Sequence, residues 1–183
     1  VISGFRTCRN SLDSGLYMSI LSENMERGAA FSRDRQYRYR LWRTWDSTRP
    51  AVLFIMLNPS RADEHRDDPT IRRCINFAHS WGYGGLYVGN LFAYRSTVPK
   101  ELLVCEDPIG KANRRHLKAM SQCCTAIVCG WGNKPIIDKL QPRIKSLGRL
   151  GLPLYTIDLS CHEVPKHPLY LRAELGMRRY ELT

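Results

Sequence analysis

The sequence is short of acid, has no long apolar run and carries no Cys-x-x-Cys pair. Asp and Glu number 17 against 28 Lys and Arg, giving a formal net charge of +11 and a pI of about 9.6. An excess of that size favours a polyanionic partner, because phosphates bound by Lys and Arg release their counterions. The longest apolar stretch, Ala51 to Leu57, is far below the roughly 20 residues a membrane-spanning helix needs. Val1-Ile2-Ser3-Gly4-Phe5-Arg6 lacks the apolar core of a signal peptide, so a cytoplasmic location and no membrane partner are expected. Cys8, Cys74, Cys105, Cys123, Cys124, Cys129 and Cys161 are scattered. They read as reduced and mostly buried thiols, and no metal or other cofactor is expected. There is no internal repeat and no low-complexity tract.

What is present is enough for one folded unit. A chain of 183 residues, 43% hydrophobic and 25% charged, can bury a core without disulfides. Residues 1–30 form an N-terminal extension in which Leu16, Ile20, Leu21 and Met25 suggest a helix; residues 31–183 form the domain. Tyr37 to Trp45 alternates strictly, with Tyr37, Tyr39, Leu41, Arg43 and Trp45 on one face and Arg38, Arg40 and Trp42 on the other, as a half-buried strand does. Ala51–Leu57, Leu86–Phe92, Thr125–Gly130 and Leu154–Leu159 read as buried strands. Helices are expected after Asp68-Pro69, after Asp107-Pro108 and across Ile136 to Ile144. The alternation predicts a three-layer α/β/α domain on a central, mostly parallel four-stranded sheet, with an N-terminal strand or hairpin added.

Ligands bind such sheets beyond the carboxyl ends of the strands. Those ends carry Asn58-Pro59-Ser60, Asn90, Gly130-Trp131-Gly132 and the segment after Leu159. Asn58 and Asn90 each offer a donor and an acceptor on one amide, which suits the edge of a nucleobase; both also fit as turn residues. His167 could donate to negative charge developing on a leaving group, with His162 a weaker alternative. Asp63, Glu64, Asp67 and Asp68 form an acidic cluster just past Asn58. Asp68 reads as a helix cap, and Asp67 is left as the carboxylate that could activate water. Phe92, Tyr94 and Trp131 stand nearest strand ends as stacking candidates.

In order, these motifs resemble the uracil-DNA glycosylase superfamily. Met56-Leu57-Asn58-Pro59-Ser60 is similar to its first motif, Leu86 to Arg95 to the strand whose Asn reads the base, and His167-Pro168-Leu169-Tyr170 to its final loop. The resemblance covers about residues 51–172 and implies a uracil-DNA glycosylase-like fold. It implies that Asn58 positions water, Asn90 binds the base and His167 stabilises the departing base. It places Met56, Leu57, Ser60, Phe92 and Trp131 around the base, and Arg61, Arg95, Leu169, Tyr170 and Arg172 against nucleic acid. Met56 stands where that superfamily has Gly and Leu169 where it has Ser, which points to a modified base rather than uracil. From Phe31 onward the chain also resembles a bacterial and phage family of unknown function, through Leu57-Asn58-Pro59-Ser60 and Asp67-Asp68-Pro69-Thr70.

The expectation is a monomeric glycosylase-like enzyme that hydrolyses the N-glycosidic bond of a modified base flipped from double-stranded DNA. The alternatives are a non-catalytic base-sensing protein and an enzyme acting on free modified nucleotides.

Overall fold

The computed structural model describes residues 25–133 and 141–182. The expected helix over residues 16–25 lies almost wholly outside them. The elements run β1 (Glu26–Phe31), β2 (Arg38–Thr44), β3 (Ala51–Met56), α1 (Pro69–Ser80), β4 (Gly85–Asn90), α2 (Asn113–Ser121), β5 (Cys124–Cys129), α3 (Gln141–Ser146), β6 (Leu154–Thr156) and β7 (Arg178–Arg179). Short 3-10 turns cover Pro99–Leu103, Leu147–Leu150 and Pro168–Tyr170. The strands form one seven-stranded sheet in the order β1-β2-β4-β3-β5-β6-β7.

The fold is α/β, as expected, and its middle is parallel: β4, β3, β5 and β6 pair in that sense. The sheet is wider than four strands. β1 and β2 add an antiparallel edge beside β4, and β7 closes the far edge antiparallel to β6. Because β1 starts at Glu26, residues 26–30 belong to the sheet rather than to an extension ending at residue 30.

β3 forms the centre because both faces of Val52-Leu53-Phe54-Ile55-Met56 are apolar and both are covered. Val52, Phe54 and Met56 pack toward α1 with Ile71, Cys74, Phe77, Leu86 and Val88. Leu53, Ile55 and Leu57 pack on the opposite side with Leu117, Met120, Ile144 and Leu154 from α2, α3 and β6. Asp68 caps α1, its carboxylate accepting from the Ile71 amide at 2.9 Å, and Pro69 occupies the first turn. Such a cap is worth about 1 kcal/mol.

The helix expected from Asp107-Pro108 begins only at Asn113. Gly110 sits at φ +78° and donates its amide to Asp107 Oδ1 at 2.9 Å, so Asp107 to Gly110 closes as a turn instead. The fourth strand stops at Thr156, short of Leu159. Among the described residues, no helix is long and apolar enough to cross a membrane.

The chain runs from β3 to β4 on one side and then crosses back to β5 on the other. The direction therefore reverses at β3, and the crevice above its carboxyl end is where an open α/β sheet places a ligand.

Candidate functional site

At that crevice lies a small cavity of about 60 Å³ on the α1 face of the sheet. On the scale of roughly 30 Å³ per liquid water, it holds a couple of waters or the edge of a ring. Asn58, Asn90 and His167, drawn from three separate segments, all line it. Met56 and Ser60 line it too.

Asn90 reaches it through strand alternation. Leu86 and Val88 point toward α1, so Asn90, two residues on, takes the same face at the strand end. The end of β4 is held from the other side. Asn113 Nδ2 donates to the carbonyls of Asn90 and Leu91 at 3.0 and 3.3 Å, and Arg143 Nη2 donates to the Leu91 carbonyl at 3.1 Å. Asn90 is only 1% exposed. Yet neither its Oδ1 nor its Nδ2 has a hydrogen-bond partner among the described residues. An amide in that condition is costly, because both poles are taken from water and neither is repaid.

Asn58 behaves differently. Its Nδ2 donates to the carbonyls of Ser96 at 2.8 Å and Pro59 at 3.1 Å. Two carbonyl acceptors fix the amide orientation, since only the nitrogen can satisfy them. The residue thus staples the loop after β3 to the loop after β4, and its Oδ1 is the pole left to accept a hydrogen bond from a ligand or water.

His167 arrives on the loop after β6. Gly132 donates its amide to the Pro165 carbonyl at 3.0 Å, and Lys166 pairs with Asp158 at 2.7 Å just before it. Close approach depends on Gly130, where an added Cβ would stand 2.9 Å from Pro168 Cδ and 3.3 Å from Met56 Sδ. His167 Nδ1 accepts from the Leu169 amide at 3.3 Å. The neutral ring then carries its proton on Nε2 and is a donor there.

Arg38 and Asp68 complete the charged wall of the cavity. The alternating pattern puts Arg38 with Arg40 and Trp42, and the structure does not. Ala30 faces Arg40 while Phe31 faces Arg38, so Tyr39 is an extra residue in the ladder and the register shifts there. A bulge of this kind re-aims the neighbouring side chain. Arg38 turns toward the loop between β3 and α1, where its Nη1 donates to the Ala62 carbonyl at 2.7 Å. Burial at 3% exposure pulls its guanidinium down to about 10, and it is still a cation at neutral pH. The Asp68 carboxylate opposes that shift, while the nearby Arg95 and Arg43 add to it.

Other expected residues lie elsewhere. Asp67 is absent from the cavity wall: its Oδ1 accepts from Arg43 Nε at 2.9 Å and pairs with Arg43 Nη2 at 2.7 Å. Asp68 is the carboxylate that faces the cavity instead. Leu57 alternates away from Met56 into the core beside α2 and α3, and Phe92 and Trp131 are buried in that same core. Trp131 packs edge-on to Tyr180, so neither aromatic is placed to stack on a base in the cavity.

A second, open groove of about 330 Å³ shares Ser60 with the cavity. Arg61 and Arg95 line it, joined by Arg35 and Tyr94. The Arg35 and Arg95 guanidinium groups both lie over the Phe31 ring, at 4.0 and 5.0 Å from its centroid. Arg35 is also tied to Glu64 by two bonds of 3.0 and 2.9 Å. Leu169 and Tyr170 form the turn after His167; Tyr170 is 80% exposed and Arg172 is exposed.

No curated protein and no solved structure matches the chain. A family described as "Protein of unknown function (DUF1643)" matches residues 38–169. The match begins at Arg38 and ends just past His167, so it contains every residue that lines the cavity. Covering more than half of the sequence, it shows that the chain belongs to this DUF1643 family.

Proposed function

We propose that the protein is a DNA glycosylase-like enzyme on a uracil-DNA glycosylase-like frame, hydrolysing the N-glycosidic bond of a modified or non-canonical base. The observation that carries this reading is the Asn90 amide, buried with both poles unpartnered in the cavity that Asn58 and His167 also line. A base edge supplies the matching acceptor and donor. Asn58 Oδ1 orients a water toward the sugar carbon. As the C–N bond breaks, its electron pair passes to the base, and His167 Nε2–H donates to the charge that develops there. The sugar carbon becomes oxocarbenium-like and is captured by the water oxygen, whose released proton neutralises the departing base. Asp68, rather than Asp67, is the carboxylate positioned to favour that cationic sugar. The inner cavity takes the edge of the base, and the arginine groove beyond Ser60 takes the sugar-phosphate. The half-buried Leu169 and the exposed Tyr170 and Arg172 would meet the flanking nucleic acid.

The test is incubation with DNA carrying a panel of modified bases, with released base read by mass spectrometry. Release by the wild type and a loss of roughly 100-fold or more in Asn58→Ala, with an unchanged circular dichroism spectrum, is the expected result. No release from any substrate by a folded protein would overturn it.

The groove favours one further reading. Its volume and its arginines suit a free modified nucleotide as well as a strand. Turnover of such a nucleotide that long DNA fails to compete would favour this alternative.

A further inference from the structure

We infer that Arg38 is a specificity-determining residue: it makes the cavity require a ligand oxygen at the position it faces and reject an exocyclic amine there. The inference rests on reading the cavity as a base-edge site. It starts from an ambiguity in Asn90. A free carboxamide can turn over and present either pole, so by itself it pairs equally with a carbonyl–NH edge or with an amine–N edge. A guanidinium has no such freedom, because all of its polar atoms are donors. Placed in the same cavity, it donates to an oxygen and repels an amine.

Arg38 fits that task in three respects. It is 3% exposed and lines the cavity with Asn90. Among the described residues its side chain bonds only through Nη1, to the Ala62 carbonyl; Nε has no partner and no ion pair forms. The carboxylate nearest in effect, Asp68, is committed to the Ile71 and Ala62 amides at the start of α1. The bulge at Tyr39 is what turns Arg38 into this position, away from the face that Arg40 and Trp42 occupy. Arg43, on the same strand, shows what a buried arginine looks like when its role is structural. Its Nε, Nη1 and Nη2 all donate, to Asp67 and to the carbonyls of Gly28, Trp42 and Asp63.

The shared chemistry is an oxygen acceptor, neutral carbonyl or anionic. Saturation-transfer NMR with the full chain and three free bases separates the sources: uracil (neutral carbonyls), orotate (the same ring with a carboxylate) and cytosine (an amine in place of one carbonyl). Uracil or orotate should bind at least about tenfold more tightly than cytosine, in line with the discrimination of a good polar pair. Preference for orotate over uracil would identify an anionic group as the oxygen source. Arg38→Met should erase the preference while its thermal midpoint stays level or rises, and Arg38→Gln, which regains an acceptor, should let cytosine in. Equal binding of uracil and cytosine, no binding of any base at millimolar concentration, or a collapse of stability in Arg38→Met would each overturn the inference. Selective binding without base release from DNA would end the enzyme reading and leave this one standing; release without selectivity would do the reverse.

Discussion

Two arginines five residues apart on β2 divide the domain into a finished region and an unfinished one. Around Arg43, 0% exposed, every guanidinium nitrogen has an acceptor and the carboxylate of Asp67 balances the charge. Around Arg38 and Asn90 the burial is as deep, and polar atoms are left over on both. Burying polar groups costs the same in each place; only the Arg43 region recovers the cost within the protein. The lesson is that burial of a polar side chain says little by itself. The state of its hydrogen bonds decides whether it is built for the fold or for a ligand.

Breaking Arg43 should have the largest effect. Arg43→Met leaves the half-buried Asp67 without its partner and frees the loop between β3 and α1, at a cost of about 3 kcal/mol in urea unfolding. Arg38→Met should leave stability level or slightly raised, the lost bond to the Ala62 carbonyl being offset by removal of an unpaired charge. Similar losses in both variants would erase the contrast between the two regions.

Gly130→Ala comes next. Its new methyl would press on Pro168 and Met56, so it should destabilise by about 1–3 kcal/mol and weaken any ligand bound beside His167. A crystal structure of the variant should show the His167 loop displaced; an unmoved loop would mean the contact at Gly130 is slack. Asp68→Ala removes the α1 cap and should cost about 1 kcal/mol by thermal unfolding. Asp68→Asn keeps a capping oxygen, so it should retain most of that stability while lowering activity, which separates the cap from the cavity carboxylate.

The smallest effect belongs to pH. The side-chain bond from Arg35 holds the exposed Glu64 carboxyl down to about 2, below its ordinary value of 4.5. A lowered folded-state pKa stabilises above the unfolded value and is lost as pH falls through the folded one. The clamp between the arginine groove and the acidic loop should therefore hold above about pH 4.5 and release toward pH 2. Glu64→Gln should flatten that part of the stability profile only slightly, since an exposed pair contributes little.

Much of the frame was legible from pattern alone. The apolar run of β3, the Asp68-Pro69 start of α1 and the alternation of β and α segments each reflect local rules that operate along the chain. The same rules placed Asn58, Asn90 and His167 at strand ends, and these do meet in one cavity. Leu57, Phe92 and Trp131 were nearby in sequence and yet face the core on the other side of the sheet. For Leu57 the period of two already implied this, because Met56 and Leu57 cannot share a face. For the aromatics nothing local distinguishes a core ring from a stacking ring.

The sequence by itself determined the basic charge, the α/β order and the polar residues at the carboxyl ends of the strands, because composition and periodicity act over a few residues at a time. Only the tertiary structure decided which of those residues were left without partners. Asp67 was taken by Arg43, Asn58 nitrogen by Ser96 and Pro59, and Asn90 by nothing among the described residues. It also decided the place of Arg38, since the extra residue at Tyr39 becomes visible only when β2 is paired against β1. Hydrogen-bond satisfaction and strand register are both relations between distant segments, and neither is written in any one of them.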